Sequence, residues 1–327
     1  MKLKDAVSEL HKFIFEGLPV RGMLVRLTDG WQEVLKRRQT IGEFPPAVRS
    51  LVGEMAAAGV LMQANIKFNG SLVLQVFGDG PVKLAVAEVQ PDLGFRVTAK
   101  VSGDVAEQDK VEALLNVSGK GRCVITLDPK DRFPSPQHYQ GIVPLHGDQR
   151  EPLQELSQVL EHYMLQSEQL DTRLILAANE EVAAGLLIQR LPVEGSGNLG
   201  ARNEDEIGLN EHYNRIAMLA ATLTREELLT LDADTLLRRL FWEEDVRRFD
   251  PHIGATAPRF SCTCSRERVG AMLQSLGRDE VDSIVSEQGQ VEVACEFCGK
   301  QYHFDPVDAL ELFVPDRDQP PGSTTIN

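Results

Sequence analysis

Four of the five cysteines lie close together in the last quarter of the chain, as two pairs. One residue separates Cys262 from Cys264, two residues separate Cys295 from Cys298, and thirty residues lie between the pairs. Two such pairs separated by one supersecondary unit are typical of a tetrahedral four-thiolate zinc site, in which each pair forms a short knuckle. Gly299, directly after the second pair, suits the tight backbone turn that a knuckle needs. The spacing therefore predicts one bound Zn²⁺ per chain.

This zinc site has a structural and a redox interpretation. A module of roughly 60 residues is too small to be stable without help, which favours a zinc that only holds it together. The first pair is C-x-C, however, whereas structural zinc ribbons usually use two CxxC knuckles. Zinc ligands are thiolates, the oxidisable form of cysteine, so oxidation would remove the ligands and release the metal. The residues alone leave both interpretations open.

The charge of the chain argues against nucleic acid and membranes as partners. The formal net charge is −15, and the segment between Thr256 and Val314 holds five Lys/Arg against ten Asp/Glu. Modules that bind nucleic acid are basic, and an acidic field repels both phosphate backbones and anionic lipid. The longest apolar run, around Met55–Met62, is far shorter than the roughly 18 residues of a membrane helix. Charged residues such as Asp5 and Glu9 interrupt any signal-peptide pattern, so we expect a cytoplasmic protein.

Outside the cysteine pairs, the sequence shows no familiar catalytic motif. No Ser/His/Asp set, P-loop or HExxH string is visible, and the histidines are scattered along the chain. His303 follows Cys298 by five residues, but four thiolates already complete a tetrahedral metal site without it. The string Gly195–Gly200 matches GxGxxG, but the acidic run Asn203–Glu206 after it would repel a pyrophosphate, so a flexible hinge is the better interpretation. Cys123 lies in an apolar strand pattern and is interpreted as a small buried hydrophobe.

The elements that must position these residues are of mixed type. Alternating patterns predict half-buried strands at Ser71–Phe77, Val82–Val89, Phe95–Val101, Arg122–Leu127, Thr172–Ala177 and Gly185–Leu191. Apolar residues at helical spacing predict helices over Ala47–Ile66 and Leu153–Leu165, with Pro45 and Pro46 at the start of the former. Consecutive hairpin-like strands with interspersed helices predict an α+β fold with a mainly antiparallel sheet.

Two amphipathic helical stretches precede the cysteine module. Thr224–Glu227 has the spacing of a capping box, and Asp232 or Asp234 can cap the next helix. The apolar faces of the two stretches are formed by Ile216, Leu219, Ala220, Leu223, Leu236, Leu237, Leu240 and Phe241. These faces either pack permanently against the large domain or become exposed when this helical arm is released.

The motifs around the cysteines resemble the C-terminal switch domain of the 33 kDa chaperonin family, the bacterial redox-regulated heat-shock holdases. The resemblance covers nearly the whole chain, from about Glu9 to Phe313. It rests on Phe260–Arg268 (FSCTCSRER), Glu280–Ile284 (EVDSI) and Cys295–Phe304 (CEFCGKQYHF), and upstream on Val20–Gly22, Phe68–Gly70, Gly78–Pro81, Tyr139–Gly141 and Ser167–Leu170.

The resemblance implies a specific mechanism. Cys262, Cys264, Cys295 and Cys298 would bind one zinc in the reduced, inactive form. Oxidant combined with unfolding conditions would form the Cys262–Cys264 and Cys295–Cys298 disulfides, release the zinc and unfold the linker. The active form would be an ATP-independent holdase for unfolding client proteins, commonly a homodimer, which passes clients to ATP-dependent foldases after reduction.

The resemblance also implies a domain organisation. Residues 1–193 would form the substrate-binding and dimerisation core, 194–255 a flexible helical linker, and 256–314 the zinc-binding redox-switch domain. The composition of 315–327 predicts a disordered tail. Two rival functions remain. One is a constitutive zinc-stabilised protein-interaction module; the other is a thiol–disulfide oxidoreductase using Cys295 and Cys298, which lacks a preceding βαβ pattern.

Overall fold

The structure, a computed structural model, describes residues 7–130, 139–192 and 211–314. The chain divides into two compact units, Met1–Ser261 and Cys262–Asn327. The predicted hinge at Gly195–Gly200, the acidic run after it and the predicted disordered tail at 315–327 lie outside the described residues.

The first unit combines strands and helices in mixed order. Its strands are β1 (Glu9–Phe15), β2 (Val20–Leu27), β3 (Gly70–Phe77), β4 (Val82–Val89), β5 (Gly94–Val101), β6 (Arg122–Pro129), β7 (Tyr139–Pro144), β8 (Thr172–Ala178), β9 (Ala183–Arg190), β10 (Val246–Arg248) and β11 (Arg259–Phe260). Its helices are α1 (Asp29–Arg38), α2 (Pro46–Asn65), α3 (Val111–Leu115), α4 (Leu156–Glu168), α5 (Glu211–Ala221), α6 (Arg225–Thr230) and α7 (Ala233–Phe241).

The strands form two sheets that are almost entirely antiparallel. The five-stranded sheet has the order β10-β1-β2-β9-β8, and the six-stranded sheet has the order β11-β5-β4-β3-β6-β7. Only the short contact between β11 and β5 is parallel among the described pairs. The α+β class with mainly antiparallel sheet is therefore confirmed.

Helix α2 packs against strands of both sheets and forms the centre of the main core. Pro45 is its N-cap and Pro46 occupies the first turn, where a missing N–H group costs nothing. The helix is buried on nearly every side, which small residues permit. A Cβ atom on Gly53 would lie 2.4 Å from the Ala178 Cβ, so glycine is required where the helix meets the end of β8.

Helices α5, α6 and α7, which we call the arm, cover the other face of the five-stranded sheet. Their apolar residues form a second core with strand residues such as Phe13, Phe15 and Leu186. Thr224 caps α6 through the predicted capping box, and Asp232, not Asp234, caps α7. The two apolar faces are thus packed in this structure, which both interpretations allow before any release of the arm.

Most of the predicted elements are present within a few residues of the expected bounds. Helix α4 begins three residues later than predicted, because Glu155 and Gln158 form a capping box that fixes its start at Leu156. Strands β1 and β2 were not predicted. The five-stranded sheet is covered on both faces, so these strands lack a clean alternation of apolar and polar residues.

The second unit is small. It contains α8 (Arg266–Leu276), α9 (Arg278–Gln288), β12 (Val291–Ala294), β13 (Gln301–Phe304) and α10 (Pro306–Glu311). Strands β12 and β13 form an antiparallel hairpin. The fully buried core of this unit is formed by Leu273, Val281, Val291, Tyr302, Phe304 and Ala309. None of the described helices has the length and hydropathy that a membrane crossing requires.

Candidate metal centre

The first cysteine pair lies directly before the start of α8. Ser265 caps this helix, and its hydroxyl accepts a hydrogen bond from the Arg268 backbone N–H at 3.3 Å. The Arg268 side chain in turn donates to the Thr263 carbonyl at 2.9 Å. Thr263 is the residue between Cys262 and Cys264, so a side chain from the first turn of α8 fixes the backbone between the two cysteines.

The second pair lies in the turn that joins β12 and β13. The backbone N–H of Cys295 donates to the Lys300 carbonyl at 2.9 Å, and that of Gly299 donates to the Cys295 carbonyl at 2.8 Å. Gly299 has a φ of +71°, which side-chain-bearing residues rarely adopt. The glycine after the second pair therefore makes the tight turn that its position in the sequence predicted.

The four sulfur atoms converge. All four lie within 4.8 Å of one another, and the chain folds each pair against the other. Cys262 Sγ lies 3.7 Å from Cys295 Sγ, and Cys264 Sγ lies 3.4 Å from Cys298 Sγ. Four sulfurs at ~2.3 Å from a tetrahedral zinc would be ~3.8 Å apart, so this spacing fits such an ion. The four cysteines could hold a metal ion, and all of them are free thiols here.

The electrostatics of the cluster favour a cation at its centre. A hydrogen bond with Cys262 and burial raise the pKa of Cys295, and burial raises the pKa of Cys298. Four thiols this close cannot all ionise without a positive charge between them. A bound divalent cation reverses this balance and keeps thiol ligands deprotonated.

Several hydrogen-bond donors surround the sulfurs. The Tyr302 hydroxyl donates to Cys264 Sγ at 3.1 Å. Backbone N–H groups of Phe297 and Cys298 face the Cys295 sulfur, and that of Lys300 faces Cys298. Donors of this kind stabilise negative charge on thiolate ligands. Neither Tyr302 nor Arg268 was predicted from the sequence, because each acts through a contact that only the folded hairpin or helix creates.

The other candidate residues lie elsewhere. His303 is exposed on β13 and faces Glu292 at 3.5 Å. Cys123 is completely buried in β6 of the first unit, and burial raises the pKa of its thiol to about 12. Such a thiol is unreactive at neutral pH, in accord with its interpretation as a small hydrophobe. Across residues 7–130, 139–192 and 211–314, the four-cysteine cluster is the one group suited to a metal.

Comparisons with known proteins agree over almost the full length. The family model described as Hsp33 protein matches residues 8–305. The 33 kDa chaperonin of Chromobacterium violaceum is 48% identical over 306 residues, which cover 94% of this chain and 94% of that protein. The 33 kDa chaperonin of Methylobacillus flagellatus is 43% identical over 315 residues, 96% of each.

A solved structure supports the fold independently. The crystal structure of the 33 kDa chaperonin (heat shock protein 33 homolog) of Thermotoga maritima superimposes with a TM-score of 0.70. It covers 94% of this chain and 97% of that one, at 18% sequence identity. At this identity the similarity establishes the fold alone.

Proposed function

This chain belongs to the Hsp33 protein family, and we propose that it is a redox-regulated, ATP-independent holdase that keeps unfolding proteins from aggregating. The observation that carries the proposal is the convergence of four thiols within 4.8 Å in a unit with a small core. In such a unit, metal-binding energy is folding energy. A chemical change at the sulfurs therefore becomes a change in structure.

In the reduced form, Cys262, Cys264, Cys295 and Cys298 are the proposed ligands of one Zn²⁺. When bound, the ion would supply the positive charge that keeps the four sulfurs deprotonated. The Tyr302 hydroxyl and the backbone N–H groups of the knuckles orient and stabilise these thiolates. This is the inactive state, with the arm packed on the five-stranded sheet.

At each cysteine pair, one peroxide accepts two electrons. One thiolate attacks the O–O bond, becomes a sulfenic acid and, with one proton, releases water. The second thiolate then attacks the sulfenic sulfur, forms the disulfide and, with another proton, releases a second water. Formation of Cys262–Cys264 and Cys295–Cys298 consumes two peroxides and leaves no thiolate ligand. The second unit then loses a binding energy on the order of 10 kcal/mol.

Loss of the folded second unit would release the arm and expose the apolar core beneath it. The face that α5–α7 cover contains aromatic and aliphatic side chains that are almost completely buried, including Phe13, Phe15 and Ile188. Exposed apolar surface of this kind binds exposed apolar segments of unfolding proteins. We propose residues 1–193 as the client-binding and dimerisation core, 194–255 as the linker, and 256–314 as the switch domain.

The remaining features follow from the same proposal. The active form is a cytoplasmic homodimer that performs no catalysis, binds neither nucleic acid nor membranes, and hands clients to ATP-dependent foldases after reduction. These statements rest on the family and on the acidic charge of the chain.

Light scattering of a heat-unfolding client protein tests the proposal. The reduced, zinc-loaded chain is compared with the peroxide-treated chain, at elevated temperature and without ATP. We expect the oxidised form alone to suppress aggregation. Equal behaviour of the two forms would instead indicate a constitutive zinc-stabilised interaction module, and turnover of a small disulfide substrate would indicate an oxidoreductase.

A further inference from the structure

The short helix α6 is held to the core at its first residue. The Arg225 side chain donates to the Ser50 hydroxyl at 3.1 Å and to the Ala178 carbonyl, and it lies 3.4 Å from the Glu54 carboxylate. Ser50 and Glu54 are on α2, at the centre of the main core. The arm therefore inserts one cation against a carboxylate whose side chain is only 17% exposed.

The opposite end of α6 is held by a second charged residue. The buried Arg26 side chain of β2 donates to the carbonyls of Leu228 and Leu229, at 2.6 and 3.1 Å. These carbonyls lie in the last turn of α6, where backbone acceptors lack partners within the helix. A cation at this end also complements the helix dipole.

Between the two ends, α6 packs its apolar residues into the sheet. Leu228 is fully buried and Leu229 is 8% exposed. A cavity of about 440 Å³ remains beside Arg225 and Glu54. Apolar and polar side chains line it in equal number, and the charged ones besides Arg225 and Glu54 are Asp109, Lys110 and Glu155. Arg225 is the α6 residue in this lining, so unfilled space adjoins its contact with Glu54.

We propose that the surface covered by α6 is a docking surface for client segments with a particular pattern. In this pattern a basic residue is followed, three and four positions later, by two apolar residues. Arg225, Leu228 and Leu229 of α6 have this spacing, so α6 occupies the surface until the arm is released. The proposal rests on the proposed function, because the arm must leave before a client can enter. Release of Arg225 leaves the Glu54 carboxylate, whose side chain is 17% exposed, without the cation that it contacts, which is unfavourable for a largely buried charge. A client segment carrying Arg or Lys restores the pairing.

A role in recognition would also explain why a carboxyl group is buried at Glu54, where it does not add to stability. Burial raises the pKa of Glu54 to about 7, and Arg225 and Ser50 oppose this shift only in part. A glutamine at this position would avoid the cost of burying a charge. A carboxyl group retained at such a cost is a candidate for recognition.

A binding assay with the arm itself as probe tests the charge selectivity. The receptor is the reduced full chain carrying Leu236→Asp and Leu240→Asp, which places two charges in the buried face of α7 and undocks the arm. The probe is a fluorescent peptide of residues 211–241, compared with its Arg225→Gln form at pH 8. A peptide with Glu226→Gln, a change on the exposed side of α6, is the matched control.

We expect Arg225→Gln to weaken binding about fivefold, as for a partly exposed ion pair, and Glu226→Gln to have no effect. On a receptor that also carries Glu54→Gln, the difference between the wild-type and Arg225→Gln peptides should shrink to what the Arg225 hydrogen bonds to Ser50 and the Ala178 carbonyl contribute. Three results would overturn the proposal. The wild-type and Arg225→Gln peptides could bind equally to the receptor with Glu54, the Arg225→Gln peptide could lose just as much affinity on the Glu54→Gln receptor, or no peptide could bind. If the doubly substituted receptor does not fold, the peroxide-treated wild-type chain and its Glu54→Gln variant replace it.

Competition connects the surface to clients. The wild-type peptide should displace a bound unfolded client from the oxidised chain at about one fifth of the concentration that the Arg225→Gln peptide requires. Peptide binding without displacement would show that clients do not use this surface, and so overturn the proposal while the holdase function stands. Failure of the oxidised chain to hold any client would contradict the proposed function, and the reduced receptor would still decide the charge selectivity.

Discussion

The hydroxyl group of Tyr302 stabilises the candidate metal centre without being a ligand. Its oxygen lies 3.1 Å from Cys264 Sγ, and its ring is buried in the small core of the second unit. Tyr302→Phe keeps the ring and removes the donor. We expect zinc affinity to fall on the order of tenfold, the usual effect of losing a hydrogen bond to a ligand.

Competition with a chromophoric chelator measures this affinity. His303→Asn is the matched control, because His303 is the next residue on the same strand and its side chain is exposed. Unchanged zinc affinity in Tyr302→Phe would contradict the stabilising role of the hydroxyl.

Replacement of a single cysteine tests the four-thiolate assignment. Cys264→Ser removes one of four converging donors, so we expect weakened zinc binding and a loosened second unit even without oxidant. Cys123→Ser should leave the zinc content unchanged, because Cys123 is buried in β6 of the other unit. Metal analysis and thermal unfolding measure both effects. Full zinc affinity in Cys264→Ser would contradict the assignment.

The titration of Glu54 should be visible in the stability of the first unit. Burial raises its pKa from 4.5 to about 7, with Arg225 opposing the shift and Glu155 adding to it. The folded state therefore holds a proton that the unfolded state has released, and stability falls as the pH rises through this range. Relative to Glu54→Gln, the wild-type chain should lose on the order of 2 kcal/mol between pH 5 and pH 8.

Denaturant unfolding of the two reduced chains at several pH values measures this difference. A constant difference between wild type and Glu54→Gln across the range would show that Glu54 does not titrate with a raised pKa.

At the scale of elements, local chemistry explains why some boundaries were predictable. Pro45 and Pro46 start α2, and the Thr224–Glu227 box starts α6, because caps are read from residues a few positions apart. The start of α4 was placed too early, since a Glu–Gln box is a weaker signal than Ser or Thr. Helix boundaries set by local caps could thus be predicted from the sequence. Strands β1 and β2 could not, because their pattern reflects burial on both faces of the sheet.

The cap of α6 offers a test of how firmly the arm is held. The Thr224 hydroxyl accepts from the Glu227 backbone N–H at 3.2 Å and donates to the Glu227 carboxylate at 2.8 Å. Thr224→Ala should destabilise the helix by about 1 kcal/mol. We expect faster amide exchange in α6 and activation of the oxidised chain at a lower temperature.

Hydrogen exchange and the temperature dependence of client holding measure these two effects. Thr230→Ala, at the exposed last residue of the same helix, is the control because it leaves the cap intact. Equal exchange rates in Thr224→Ala and wild type would show that the cap does not limit release of the arm.

At the scale of the whole molecule, the cysteine spacing and the flanking motifs carried most of the information. The spacing and motifs predicted which four thiols converge. The sulfur atoms that lie closest belong to cysteines 33 and 34 residues apart in the sequence. The contact between Glu54 and Arg225 was not predictable, because the two residues are 171 positions apart. No sequence motif around either residue indicates that the two meet in the fold. Long-range polar contacts of this kind follow from tertiary packing rather than from periodicity.

A net charge of −15 favours solubility, which a chaperone needs if it exposes apolar surface as proposed. The same acidic field attracts basic client segments, in line with the selectivity proposed for the surface beneath α6.

In the proposed function, zinc release and client holding are one event. Both can be followed in one sample during a peroxide titration at elevated temperature, with a chromophoric chelator reporting released zinc and light scattering reporting client aggregation. We expect the two curves to coincide and to saturate at one zinc per chain. Holding that develops while the zinc stays bound, or complete zinc release without holding, would contradict the proposed function.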